Sequence, residues 1–404
     1  MQVLERSRLM AIAPLWRLGF RPFFLGGALF AVLAIALWLA ALAGLWSGWQ
    51  PVGGWLAWHR HEMLFGFGVA IIAGFLLTAV QTWTGVPGLQ GKPLALLAGL
   101  WLAARLAWLF DAPLALLLVL QLSFLPLLAW AIGRSLWRVR QKRNYPVVGL
   151  LLLLTLADAL VLFGLFEGND DWQRRASIAA LWLIAGMMNL IGGRVIPFFT
   201  QRGLGRPRQV PALAWLDNGI LLGCVLVALL TAAGATVRPT PLAVRPTPWL
   251  AALFAALGGA QLWRLWRWRD RGIWRVPLLW SLHLAYFWIA VAPLGLALWS
   301  LGLALSPSQA LHALAVGGMG GLILAMLARV TLGHTGRALQ PPAAMPWAFA
   351  LLNLGCAARV ILPSLLPANW ALPLAGGLWA LAFLLFAWFY APMLWRPRVD
   401  GHPG

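Results

Sequence analysis

The chain has 404 residues, of which 62% are hydrophobic and only 10% are charged, whereas soluble domains carry about 25% charged residues. That balance excludes a soluble enzyme, a coiled coil and a disordered tail, because a water-exposed globule of this composition would aggregate through its apolar surface. The formal charge of +20 comes from 30 Lys+Arg against 10 Asp+Glu. It is spread in short pieces between apolar segments, which points to anionic lipid headgroups and not to nucleic acid. The two cysteines, Cys224 and Cys356, lie inside apolar runs, so neither a disulfide framework nor a thiolate zinc site is expected.

A membrane-crossing α-helix needs roughly 20 apolar residues. Such segments fall at 23–46, 61–83, 92–110, 113–135, 146–166, 175–199, 212–235, 249–270, 277–300, 308–332, 346–366 and 370–395. The expected fold is therefore all-α: one polytopic transmembrane domain over 1–404 with about twelve spans. The first segment follows Arg6, Arg8, Arg17 and Arg21 and is too long for a signal peptide, so it is expected to stay as a helix. With a cytoplasmic N-terminus, 23 basic residues fall on the inner side and five on the outer side. The positive-inside rule then predicts both termini inside. Gly85–Pro93, Pro239–Pro248 and Gln340–Pro346 mark turns, and no loop is long enough for a soluble domain. Arg21-Pro22-Phe23-Phe24 faintly resembles Arg194-Val195-Ile196-Pro197-Phe198-Phe199, a hint of a six-plus-six duplication.

Ionisable groups inside spans are costly unless paired or functional, so the exceptions carry the information. Five of the six histidines lie at or within spans: His59, His61, His283, His312 and His334. Neutral imidazole enters a membrane and binds metal or haem iron; its bland alternative is a hydrogen-bonded packing residue. In the expected orientation His59, His61 and His312 lie at the outer side, and His283 and His334 at the inner side. His312 and His334 are 22 residues apart, about 33 Å along a helix, so they serve different sites. Met319 and Met326 share their stripe. It reads either as a His/Met track for copper(I) or as Met filling an irregular core. Gly317-Gly318-Met319-Gly320-Gly321 admits close approach of another helix or of a porphyrin face.

In Trp58-His59-Arg60-His61-Glu62-Met63, a continuous helix would turn His59 and His61 about 200° apart. A helix starting between them would make His59 a loop ligand and His61 a helix ligand. Glu62 is a candidate ligand or an acceptor for an imidazole N–H. Asp158, Arg105 and Arg359 are mid-span charges at matching depth, about 18–20 Å from the inner surface. Asp158 is expected to pair with one arginine; a spare guanidinium would suit a haem propionate or another anion.

These motifs give the chain a family resemblance. It resembles the NnrS family of bacterial inner-membrane proteins linked to nitric oxide and denitrification. The matching stretches are Phe20-Arg21-Pro22-Phe23-Phe24, His59-Arg60-His61-Glu62-Met63-Leu64-Phe65-Gly66, Gly74-Phe75-Leu76-Leu77-Thr78-Ala79-Val80 and Trp83-Thr84-Gly85. They continue with Gly192-Gly193-Arg194-Val195-Ile196-Pro197-Phe198-Phe199, Leu282-His283-Leu284-Ala285-Tyr286, His312-Ala313-Leu314 and Ala328-Arg329-Val330-Thr331-Leu332-Gly333-His334-Thr335-Gly336-Arg337. The resemblance implies a haem- and copper-containing, multi-pass inner-membrane protein that helps bacteria cope with nitric oxide. More loosely, the chain is similar to the haem-copper oxidases in having histidines on spans two and ten. Spans six and seven hold none, so an oxidase-type binuclear centre is not expected.

The site expectations follow. A b-type haem is placed on His61 and His312, with His59 and Glu62 beside it and Arg105 and Arg359 as anion partners. A second metal, copper, is placed at His283 and His334, near Arg21, Arg194 and Arg329; the reverse assignment stands as an alternative. Nitric oxide is the small-molecule ligand and arrives through the bilayer. No motif names an electron donor, and the residues do not decide between turnover and binding. A second reading is a metal or anion carrier using the same histidines with Glu62 and Asp158, and a third is a structural protein whose histidines only pack.

Overall fold

The computed structural model describes residues 9–46, 48–239, 244–246, 249–303 and 306–402. Arg6 and Arg8 lie outside them, as do the side chains of Arg238 and Arg245.

Among the described residues twelve long helices follow in chain order: α1 (Phe20–Leu42), α2 (Gly54–Thr84), α3 (Lys92–Leu109), α4 (Leu114–Arg138), α5 (Tyr145–Phe166), α6 (Asp170–Gly203), α7 (Ala214–Ala232), α8 (Trp249–Arg267), α9 (Pro277–Ser300), α10 (Pro307–His334), α11 (Met345–Ile361) and α12 (Ala368–Trp395). Eleven of the described helices are long and apolar enough to cross a membrane; α8 falls outside that set. It is 19 residues long, and Gln261, Arg264 and Arg267 interrupt the apolar run in its last two turns. Two three-residue strands, Val237–Pro239 and Val244–Pro246, pair antiparallel in the loop before it.

Helix ends follow local chemistry. Proline stands in the first turn of α3, α5, α9, α10 and α11, where its missing N–H costs nothing. Ser306 and Gln309 close a reciprocal capping box on α10. Gly85 ends α2 with φ 67°, a left-handed conformation that favours glycine. Two helices are locally underwound to π geometry, Glu62–Gly68 within α2 and Ala313–Gly320 within α10.

The chain divides into two compact units. The first holds residues 1–173, 327–342 and 383–404; in it α1 packs on α2, and α4 packs on α2, α3 and α5. Trp58, Trp108, Leu117 and Leu162 form part of its core. The second holds 174–326 and 343–382. There α8 packs on α7 and α9, and the π segment of α10 packs on α9 and α11. Outward Leu and Trp side chains, such as Leu96 and Trp388, stay exposed. In a chain of apolar spans they face lipid, and the protein is a multi-pass helical membrane protein.

Candidate functional site

In the first unit α2 is helical from Gly54, so His59, His61 and Glu62 all stand on one helix. The two histidines point apart, as a continuous helix requires. His59 stacks on Trp38 with ring centroids 4.4 Å apart, while His61 packs against Trp108 at 4.2 Å and Phe65 at 4.8 Å. His61 and Glu62 are fully buried and Asp158 nearly so. His61 Nδ1 lies 2.9 Å from Glu62 Oε1, and Nε2 lies 2.8 Å from Asp158 Oδ1. Both contacts are hydrogen bonds only when both ring nitrogens carry hydrogen or one carboxyl is protonated. Arg105 Nε stands 2.8 Å from Glu62 Oε2, a charge contact without good hydrogen-bond alignment.

The π turn explains how Arg105 is held. Shifting to i→i+5 bonding frees carbonyls from the usual ladder. The Phe65 carbonyl accepts from Arg105 Nη1 at 3.0 Å, and the Gly66 carbonyl accepts from Trp101 Nε1 at 2.9 Å. Arg105 Nη2 also donates to Gln121 Oε1. The polar bonds of Asp158 thus go to His61 and not to an arginine, and Arg105 takes Glu62. Equal depth in the membrane fixed their height but not their direction around each helix.

The same unit holds the cationic end of α1. Arg21 is fully buried and donates through Nη1 to the carbonyls of Leu394 and Arg396, each at 2.8 Å. His334 packs against Phe20 with ring centroids 5.5 Å apart, and its carbonyl accepts from Arg398. Arg329 is buried on α10.

The second unit contains a hub that the sequence reading passed over. Arg264, in the last turns of α8, is only 2% exposed. Its Nε donates to the Tyr286 hydroxyl at 2.7 Å, Nη1 to Asp217 Oδ1 at 2.9 Å and Nη2 to Asn189 Oδ1 at 2.6 Å. Tyr286 in turn donates to Asn189 Oδ1 at 2.7 Å. A Cβ at Gly193 would stand 3.0 Å from Arg264 Nη1, so this glycine, just before half-buried Arg194, makes room for the guanidinium. The available signals were Asn189 and Tyr286, two polar groups within apolar spans.

His312 and Arg359 meet in this unit. His312 Nδ1 donates to the Ser308 carbonyl at 2.7 Å, which turns the Nε2 lone pair toward Arg359 Nη2, 3.4 Å away. Arg359 also donates to Ser308 Oγ at 3.0 Å.

His283 differs from both. Its Nδ1 donates to the Leu279 carbonyl at 2.9 Å. A carbonyl can only accept, so this bond places hydrogen on Nδ1 and leaves the lone pair of neutral imidazole on Nε2. The Trp268 carbonyl approaches the ring, but buried Nε2 makes no hydrogen bond of ordinary geometry. His283 lines a pocket of about 770 Å³ with Leu262, Leu265, Trp266, Trp274 and Phe287, and with Arg269, Asp270 and Arg271 among the polar lining. Asp270 shapes this pocket. It caps the 3-10 turn Arg271–Arg275 by accepting from the Gly272 amide at 2.8 Å, and Arg206 grips both its oxygens at 2.8 and 2.9 Å. That grip holds the Asp270 carboxyl below the usual carboxylate range.

The donor sets can be tested against the groups expected. His61 has both nitrogens engaged by carboxylates, and His312 turns Nε2 to a cation, so neither presents a coordinating nitrogen in this arrangement. His283 does, beside a pocket within the 300–1,000 Å³ range of cofactor sites. Among the described residues no group of three or more His, Cys, Asp or Glu side chains is placed to hold a metal ion. Cys224 and Cys356 are free and buried.

The fold and its buried polar clusters define an all-α, multi-pass membrane protein with an imidazole-bearing pocket. The family model described as NnrS protein matches residues 14–398, and the chain belongs to the NnrS family. No curated protein matches it.

Proposed function

We propose that the protein binds a b-type haem through His283 and acts in the response to nitric oxide in the bacterial inner membrane. The observation that carries the reading is buried His283, whose Nε2 makes no hydrogen bond of ordinary geometry among the described residues, in the lining of a pocket large enough for a cofactor. Family membership supports it. Haem would supply an iron centre able to bind nitric oxide.

The chain's own residues do the rest. The Leu279 carbonyl orients the imidazole and raises its basicity by accepting the Nδ1 hydrogen. Trp266, Trp274 and Phe287 give the pocket apolar faces, and Arg269 and Arg271 suit carboxylate arms at its edge. His283 would hold the iron there, and the bound group would supply a centre for a diatomic ligand that partitions through lipid. No step is assigned to copper.

The test is spectroscopic. Reduced protein purified in detergent should show b-type bands that shift when nitric oxide is added. Haem bands indifferent to nitric oxide would contradict the ligand-binding role.

A further inference from the structure

We propose that the open Nε/Nη2 edge of Arg21 is the fork of a buried binding site for a small planar oxoanion, the class of carboxylate, nitrite and nitrate.

Nη1 is committed to the carbonyls of Leu394 and Arg396. Nε and Nη2, both buried, have no hydrogen-bond partner among the described residues. A buried donor left unpaired is costly, and more so when it is charged, so this edge calls for an acceptor.

The molecule shows what this edge grips. Arg206 uses Nε and Nη2 to hold the two oxygens of Asp270, at 2.8 and 2.9 Å. Arg398 uses the same pair on Asp400, at 2.9 and 2.6 Å. Both are parallel two-bond contacts that match a planar group with two oxygens. Arg21 presents the same edge without an oxygen pair.

Charge argues the same way. Among the described residues the charged groups acting on Arg21 are Arg17, Arg337 and Arg398. All are cationic, and Asp400 is taken by Arg398. Arg21 also stands in the first turn of the 23-residue α1, at the positive end of its dipole. A buried cation among cations is stabilised by an anion from outside the chain. Phe20 walls the guanidinium, with the ring centroid 5.5 Å from Cζ, which suits a flat ligand.

The oxygens have two sources: a free oxoanion, or the carboxylate arm of a bound cofactor. Full-length protein in detergent would be titrated calorimetrically with formate, nitrite and nitrate, with chloride as a spherical control. Haem-loaded and haem-stripped samples would be compared. Saturable binding of formate and nitrite, competing for one site and insensitive to chloride, is expected. Binding to both samples assigns a free oxoanion; binding to the stripped sample alone assigns a cofactor carboxylate. Arg21→Lys keeps a charge but not the fork and should weaken binding at least tenfold. Should that variant misfold, solid-state NMR contact between ¹³C-formate and ¹⁵N-labelled guanidinium nitrogens locates the anion in the wild type. No saturable binding in either sample, or unchanged binding by a folded Arg21→Lys protein, would overturn the proposal. The titration runs equally on protein that takes up no haem, so its outcome is separate from that of the His283 assignment.

Discussion

His61 Nε2 stands 2.8 Å from Asp158 Oδ1 across two helices, with the opposite ring nitrogen on Glu62. The cluster is buried, so removing one member strands the others. Asp158→Ala should destabilise the protein by about 3–5 kcal/mol. The His61→Ala, Asp158→Ala double variant should lose less than the sum of the singles, because the stranded partner is gone too. Unfolding of the four proteins in mixed micelles measures the coupling; strict additivity would show that the contact carries no energy.

Gly66 is where the π turn touches this cluster. A Cβ there would fall 2.7 Å from Phe30 and 2.8 Å from Glu62 Oε2. Gly66→Ala should therefore cost about 1–3 kcal/mol through overpacking. Gly99, inside α3, meets nothing within 4 Å, and Gly99→Ala should stabilise by roughly 0.5–1 kcal/mol through backbone entropy. Opposite shifts in the thermal midpoints of the two variants are the expected result.

Tyr286 accepts from Arg264 and donates to Asn189. Tyr286→Phe leaves a buried guanidinium hydrogen and a buried amide oxygen each short of a bond. Its cost should be about 1–3 kcal/mol, without change in the helix content measured by circular dichroism.

Arg206 and the Gly272 amide hold the Asp270 carboxyl below its unfolded range. Its contribution is thus present above the ordinary carboxylate pKa and disappears as pH falls through the lowered folded value. The 3-10 turn Arg271–Arg275 should lose amide protection in acid, Gly272 first. Hydrogen exchange between pH 7 and pH 3, corrected for intrinsic rates, reads this; Asp270→Asn should show the low-pH exchange pattern already at pH 7.

Much of this fold is written in the composition. Lipid demands long apolar helices, so most spans were legible from apolar length alone. Buried polar residues such as His61, Glu62, Asp158 and Arg105 stood out because a bilayer tolerates few of them. Their partners did not, because spacing gives depth along a helix and says nothing of rotation about it. The π turns have no residue signature, since i→i+5 bonding is set by what packs alongside. Arg264 was hidden at the frayed end of an apolar pattern, where a buried guanidinium and a loop charge look alike. The pocket beside His283 was illegible for a similar reason: it is shaped by a short turn that Asp270 caps across the chain from Arg206.

The assignment of His283 is tested most directly by haem content. Wild-type protein and the His283→Ala, His61→Ala and His312→Ala variants would be expressed with added haem, purified as monodisperse samples and compared by Soret absorbance and iron per chain. The account predicts that His283→Ala alone loses the haem band. A haem-replete His283→Ala protein, or a wild type that stays colourless, would contradict it.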